Sequence, residues 1–230
     1  MPLRIWAART LTAANLVVLL LGGASFGMWF FLSLYLQQVL GYSPIKAGLS
    51  FLPMTLCIVA GSVLASRLVI RVGAKRILIV GMVFQAAGLL WFTDITASGG
   101  YLAEVLVPSL LVAIGIGLAF VPATIAAVAG VAPQEAGLAS GLVNTSRLVG
   151  GALGLAILAA LAAARTKSDV TAAGGHVTTQ VTHAALTSGF RLAFIVAAAF
   201  AAVGAVVAAF GLPRIPARAP RSQSAAVKAA

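Results

Sequence analysis

The sequence predicts an all-α, polytopic membrane protein of six transmembrane helices, and three observations carry that expectation. Charged residues make up only 8% of the 230 residues, against about 25% in an ordinary soluble domain. Hydrophobic residues reach 61%, with a mean hydropathy of +1.09. These residues are gathered into six long runs, each sufficient as a helix to cross about 30 Å of hydrocarbon, which takes roughly 20 residues. So few charged side chains cannot clothe a water-soluble domain of this size. The bilayer is the solvent that suits the composition.

The elements follow in order. The first helix is expected over about residues 12–37. Its apolar run, 11–36, exceeds the h-region of about 7–15 residues found in secretory signals, so it reads as a retained span. The second and third helices fall at about 47–70 and 76–95, joined by a tight turn. The fourth covers about 102–131 and carries prolines, and the fifth about 134–164. A link over 165–188, rich in Thr, Ser, Gly and Ala, reads as irregular. The sixth helix lies at about 189–212, and residues 213–230 read as a disordered basic tail. A three-plus-three inverted repeat is compatible with six spans but leaves no visible trace in the residues.

Charge sets the expected orientation. Arg4, Arg9, Arg67, Arg71, Lys75, Arg76, Arg147, Arg214, Arg218, Arg221 and Lys228 fall on one side of the predicted membrane. Lys46, Arg165, Lys167 and Arg191 fall on the other, eleven against four. The positive-inside rule then places both termini in the cytoplasm, as an even number of spans requires, and a multi-pass plasma-membrane protein is expected.

The net charge of +11 raises nucleic acid as a partner, because basic patches bind phosphate. The cations instead sit in short clusters between apolar runs, without interleaved aromatics, and no nucleic acid is expected. Cys57 stands alone inside an apolar run, excluding a disulfide framework. His176 and His183, seven apart in a polar link, make a poor metal site, and neither a metal nor a cofactor is expected. Ser140 in Gly137-Leu-Ala-Ser-Gly141 lacks the glycine spacing of a nucleophile elbow and a base at matching depth. It reads as a small residue at a helix contact, and no enzymatic activity is expected.

Other motifs are more informative. The turn after the second helix reads Gly61-Ser-Val-Leu-Ala-Ser-Arg67-Leu-Val-Ile-Arg71-Val-Gly73-Ala-Lys75-Arg76. A positive-inside turn accounts for it. It also resembles, without its acidic position, the Gly-x-x-x-Asp-Arg-x-Gly-Arg-Arg/Lys loop of the major facilitator superfamily. Further on stand Gly115-Ile-Gly-Leu-Ala-Phe-Val-Pro122 and Val131-Ala-Pro-Gln-Glu135-Ala-Gly-Leu-Ala-Ser-Gly-Leu-Val-Asn144-Thr145-Ser-Arg147-Leu-Val-Gly-Gly-Ala-Leu-Gly154. These are similar to the carboxy-terminal half of the fourteen-helix drug:proton antiporters of that superfamily. Arg9-Thr-Leu-Thr-Ala-Ala-Asn15 and Leu34-Tyr-Leu-Gln-Gln-Val-Leu-Gly-Tyr-Ser-Pro44 are similar too. The resemblance spans about residues 3–212, with Leu148 standing where the family usually has Gln.

The residues themselves supply reasons for these types. Gly137 and Gly141, then Gly150 and Gly154, are small residues four apart, suited to a close helix approach. Glu135 complements the positive end of the fifth helix. Arg147 is the one cation well inside a predicted helix, and two readings stay open: snorkelling to the interface, or bridging and gating between helices.

The resemblance implies one half-bundle of the major facilitator fold, working by alternating access as part of a multidrug efflux pump. It implies that the first and fourth helices line a cavity for a small hydrophobic substrate. The second and fifth would meet the other half, and the third and sixth would face lipid. Candidate cavity residues are then Asn15, Phe26, Trp29, Phe30, Ser33, Gln37 and Thr124. Candidate gating or interface residues are Arg67, Arg71, Gly73, Arg76, Glu135, Asn144 and Arg147. Asp94, Glu104, Glu135 and Asp169 all lie at helix ends or in links, so a coupling acid is expected in an amino-terminal half that this chain lacks. The partner is accordingly a missing half or a second copy. The alternative is a truncated or non-transporting membrane scaffold.

Overall fold

Helix propensity and apolar composition leave this chain little choice but helix, and the computed structural model, which describes residues 9–129, 131, 133–173 and 178–213, shows six spans. They are α1 Thr10–Val39, α2 Pro44–Val72, α3 Ala74–Asp94, α4 Tyr101–Val128, α5 Ala136–Ala172 and α6 Thr179–Gly211. A π-helical turn, Tyr35–Val39, ends α1, and another, Tyr101–Leu106, opens α4. Among the described residues there is no strand. The basic tail beyond Pro213 and the amino-terminal cation Arg4 lie outside the described residues, as does His176.

Local chemistry sets the boundaries. Ser43 caps α2 by accepting from the Lys46 N–H at 3.3 Å, with Pro44 pre-set at the first helical position. The helix therefore begins before the residue 47 expected from hydropathy. Gly73, at φ 89°, turns the chain between α2 and α3 in a conformation that side chains disfavour. Lys75, just past that turn, donates to the Leu212 carbonyl at 2.6 Å and satisfies the end of α6.

The irregular link expected over 165–188 is a correction. There α5 runs on to Ala172 and α6 already begins at Thr179. The segment holds no proline, and its only glycines are the pair Gly174 and Gly175, so α5 meets no breaker before them. Thr178 caps α6 by accepting from the Val181 N–H at 3.3 Å. At 37 residues, α5 is about 55 Å long and outreaches the hydrocarbon.

Packing follows an internal symmetry that the sequence hides. α1 packs on α5 and α6, and α4 packs on α2 and α3, while α1 meets α4 and α3 meets α6. Exchanging α1 with α4, α2 with α5 and α3 with α6 reproduces these neighbours, although α5 packs on α6 far more extensively than α2 on α3. Each unit has three spans, so the second enters from the opposite face and the repeat is inverted. Equivalent seams even use the same chemistry. A Cβ on Gly23 of α1 would lie 3.4 Å from Gly154 Cα of α5, and one on Gly61 of α2 would lie 3.3 Å from Gly117 Cα of α4. Backbones approach this closely only where side chains are absent. Gly137 and Gly141, by contrast, face open space.

Towards the Tyr35 end, aromatic rings close the core between α1, α3 and α6. Phe92 stacks on Phe194 with centroids 4.9 Å apart, and Phe31 leans on Phe190 at 5.7 Å. Coverage is uneven: the most apolar stretches of α1 and α4 are each 56% buried, those of α5 and α2 only 28% and 17%. α2 and α5 are thus the spans that the bundle covers least.

Candidate functional site

Between α1, α2, α4 and α5 lies a cavity of about 560 Å³, within the range of about 300–1,000 Å³ typical of small-molecule sites. α1 contributes Leu21, Gly22, Ser25, Phe26 and Trp29; α2 contributes Thr55, Ile58, Val59 and Ser62. Ile116 and Phe120 come from α4, Arg147 and Leu155 from α5. Neither α3 nor α6 reaches it. Phe26, Trp29, Thr55, Val59 and Phe120 remain exposed, so the cavity opens to one side. Trp29 is held by stacking on Phe51, centroids 5.9 Å apart and planes within 10°.

The lining is apolar with a few polar groups, and most of those are committed within the protein. Ser25 donates to the Leu21 carbonyl at 2.7 Å and accepts from Gln85 Nε2 at 3.0 Å. Thr55 donates to the Phe51 carbonyl at 3.0 Å. Arg147 differs. Its Nη2 donates to Asn144 Oδ1 at 3.0 Å, and its guanidinium stands 5.4 Å from the Phe120 ring centroid, a cation–π geometry. Its Nε is buried and has no hydrogen-bond partner.

The expected site residues separate on this geometry. Phe26, Trp29 and Arg147 come together around the cavity. Phe30, one residue on from Trp29, turns into a different groove beside Phe31, Ala162 and Phe190. Asn15 is buried at the α1–α5 seam, donating to the Leu11 carbonyl at 2.8 Å and accepting from Ser146 Oγ at 2.8 Å. Ser33 and Gln37 bond each other at 2.9 Å, and Thr124 turns back on the Phe120 carbonyl at 3.1 Å. None of these last four lines the cavity. Arg67, Arg71 and Arg76 are exposed around the Gly73 turn, one helix end away. Glu135 sits at the N-cap of α5 without a side-chain cap bond.

Two groups were missed by reading the sequence. Gln85 is fully buried on α3, holds Ser25 from behind and leaves its own Oε1 unpartnered. The available signal was plain: Gln85 is the only polar residue between Arg76 and Thr93. The second is a cluster at the first turn of α4, where Glu104 accepts from the Thr96 N–H at 2.7 Å, Thr96 Oγ1 at 2.9 Å and Tyr35 Oη at 3.1 Å. Among the described residues no group of three His, Cys, Asp or Glu side chains is placed to hold a metal ion.

Comparisons with known proteins agree with this architecture. The family model described as Major Facilitator Superfamily matches residues 14–229. A cephamycin export protein from Amycolatopsis lactamdurans is 37% identical over 176 residues, 76% of this chain and 36% of the relative. A puromycin resistance protein from Streptomyces alboniger is 38% identical over 161 residues, 69% of this chain and 32% of the relative. A tetracenomycin C resistance and export protein from Streptomyces glaucescens is 32% identical, covering 91% of this chain and 45% of the relative. The chain therefore spans between about a third and a half of the length of the relatives it matches.

Proposed function

The chain belongs to the Major Facilitator Superfamily, and from that premise we propose that it is one half of a proton-coupled efflux pump for hydrophobic drugs. The observation that carries the reading is the apolar cavity of about 560 Å³, walled by α1, α2, α4 and α5 and open on one side. A second six-helix unit seated against α2 and α5, the least covered spans, completes the wall. Two bundles rocking about that shared site give alternating access. The second unit is an amino-terminal half or a second copy of this chain. It also supplies the coupling acid, because Asp94, Glu104, Glu135 and Asp169 all lie towards span ends or in links. The eleven-to-four division of cations read from the sequence supports a plasma-membrane orientation with both termini in the cytoplasm.

The relatives named for cephamycin export, puromycin resistance and tetracenomycin C export supply the first compounds to test. Everted membrane vesicles carrying the chain, alone and co-expressed with the amino-terminal portion of the tetracenomycin C relative, are energised with a pH gradient. Uptake of at least one compound, abolished by a protonophore, is expected. Absence of uptake in both preparations, with no binding by the purified chain, would overturn the proposal and leave a non-transporting membrane scaffold.

A further inference from the structure

Arg147 is a permanent cation in the wall of an apolar cavity, and none of the chain's own carboxylates attends it. Glu104 is engaged by Thr96 and Tyr35, and Asp169 pairs with Arg165 at 3.3 Å, the one ion pair among the described residues. Glu135 lies three turns away along α5, about 18 Å at the helical rise. Asp94 lies at the far end of α3. The guanidinium makes a neutral bond to Asn144 and a face contact with Phe120, while its buried Nε has no hydrogen-bond partner. Arg147 is half-buried, and a cation set without a counter-ion in a largely apolar lining favours whatever neutralises it. The guanidinium presents its N–H donors in a planar fork of the kind that matches a carboxylate. Of the lining hydroxyls Ser25 and Thr55 already donate to their own helices, and Arg147 is the one charged donor in the lining. Phe26, Trp29 and Phe120 surround it with ring surface.

Resting on the efflux reading of this cavity, we infer that its ligands are amphipathic anions, an apolar ring system carrying a carboxylate that Arg147 binds. A carboxylate reaching Arg147 from the second half-bundle is the competing use of the same charge.

The test uses the full chain in phosphatidylcholine nanodiscs, with Trp6→Phe and Trp91→Phe so that Trp29 in the cavity wall is the reporter. 9-Anthracenecarboxylate and 9-anthracenemethanol differ only in the acidic group, and protein-free discs correct each for lipid partition. The carboxylate is expected to half-quench Trp29 at a concentration lower than the carbinol by about tenfold or more. Arg147→Gln is expected to bring the two concentrations together, and Arg147→Lys to restore part of the gap. Equal half-quenching in the unaltered cavity would overturn the anion inference while leaving the cavity as a ligand site, and the competing pairing would then hold. A preference that survives Arg147→Gln also overturns it. Quenching by neither probe overturns this inference and the cavity reading together. The comparison of the two probes needs no substitution at Arg147, so a misfolded variant does not rescue the idea.

Discussion

The Tyr35 hydroxyl donates to the Glu104 carboxylate at 3.1 Å, joining the last turn of α1 to the first turn of α4. The same hydroxyl lies 2.7 Å from the Thr96 carbonyl, and Glu104 takes both the N–H and the hydroxyl of Thr96. Arg191 adds α6 by donating to the Ile95 carbonyl at 2.8 Å. Three separate spans are therefore tied through one short link between α3 and α4. This end of the half-bundle is locked by polar bonds, whereas its middle is held by glycine seams.

Glu104→Ala removes the acceptor of both the Thr96 N–H and its hydroxyl, while Tyr35 keeps the Thr96 carbonyl. Buried donors left unsatisfied cost about 1–3 kcal/mol, so the expected loss of stability lies in that range. Tyr35→Phe removes a single donor and is expected to cost about 0.5–1.5 kcal/mol. Thermal or denaturant unfolding in a mild detergent measures both. Equal effects of the two substitutions would contradict Glu104 as the hub.

The glycines of α5 divide into two classes despite identical spacing. A Cβ on Gly150 would meet the Leu19 carbonyl, and one on Gly154 would meet Gly23. Gly137 and Gly141 have nothing within 4 Å. Gly150→Ala or Gly154→Ala is expected to force α1 and α5 apart and to cost about 1–3 kcal/mol, as overpacking does. Gly141→Ala should be neutral, or stabilising by up to about 1 kcal/mol through helix propensity. Unfolding of the isolated chain distinguishes them.

That contrast shows what the sequence could and could not reveal. Composition and run length were enough for six spans, because a bilayer imposes both and tolerates few exceptions. Gly73 was legible because a one-residue turn demands its backbone freedom. Which glycine meets a neighbour was not legible, since spacing fixes a face of one helix and says nothing of what lies opposite. Asn15 makes the same point: its role is decided by Ser146, 131 positions away. The full length of α5 was hidden because polar residues outside a hydrocarbon core can be helical as readily as irregular.

The aromatic residues of α1 give a functional version of that test. Phe26 and Trp29 line the cavity, whereas Phe30 faces the groove beside Phe190. Phe26→Ala and Trp29→Ala are each expected to weaken ligand binding by about tenfold, the loss of one buried ring being worth somewhat more than 1 kcal/mol. Phe30→Ala should leave binding within about twofold, because its ring touches no part of the cavity wall. Titrations in nanodiscs with the anthracene probes, following probe fluorescence rather than Trp29, measure all three. A loss at Phe30 equal to that at Phe26 would mean that the two grooves act as one site.

Gln85 poses a sharper energetic question, because it is fully buried yet only half satisfied. Its Nε2 donates to Ser25 Oγ, while its Oε1 has no donor. Hydrogen bonds between helices in membranes average about 0.6 kcal/mol, and deleting the whole amide also removes the unpaired carbonyl. Gln85→Leu is therefore expected to change stability by less than about 1 kcal/mol in either direction. Ser25→Ala, which strands the amide with both ends unbonded, should cost about 1–3 kcal/mol. Adding Gln85→Leu to Ser25→Ala should then recover most of that loss, a coupling visible in a double-mutant cycle. If the two losses simply add, the Gln85–Ser25 bond is not what keeps a polar amide inside α3.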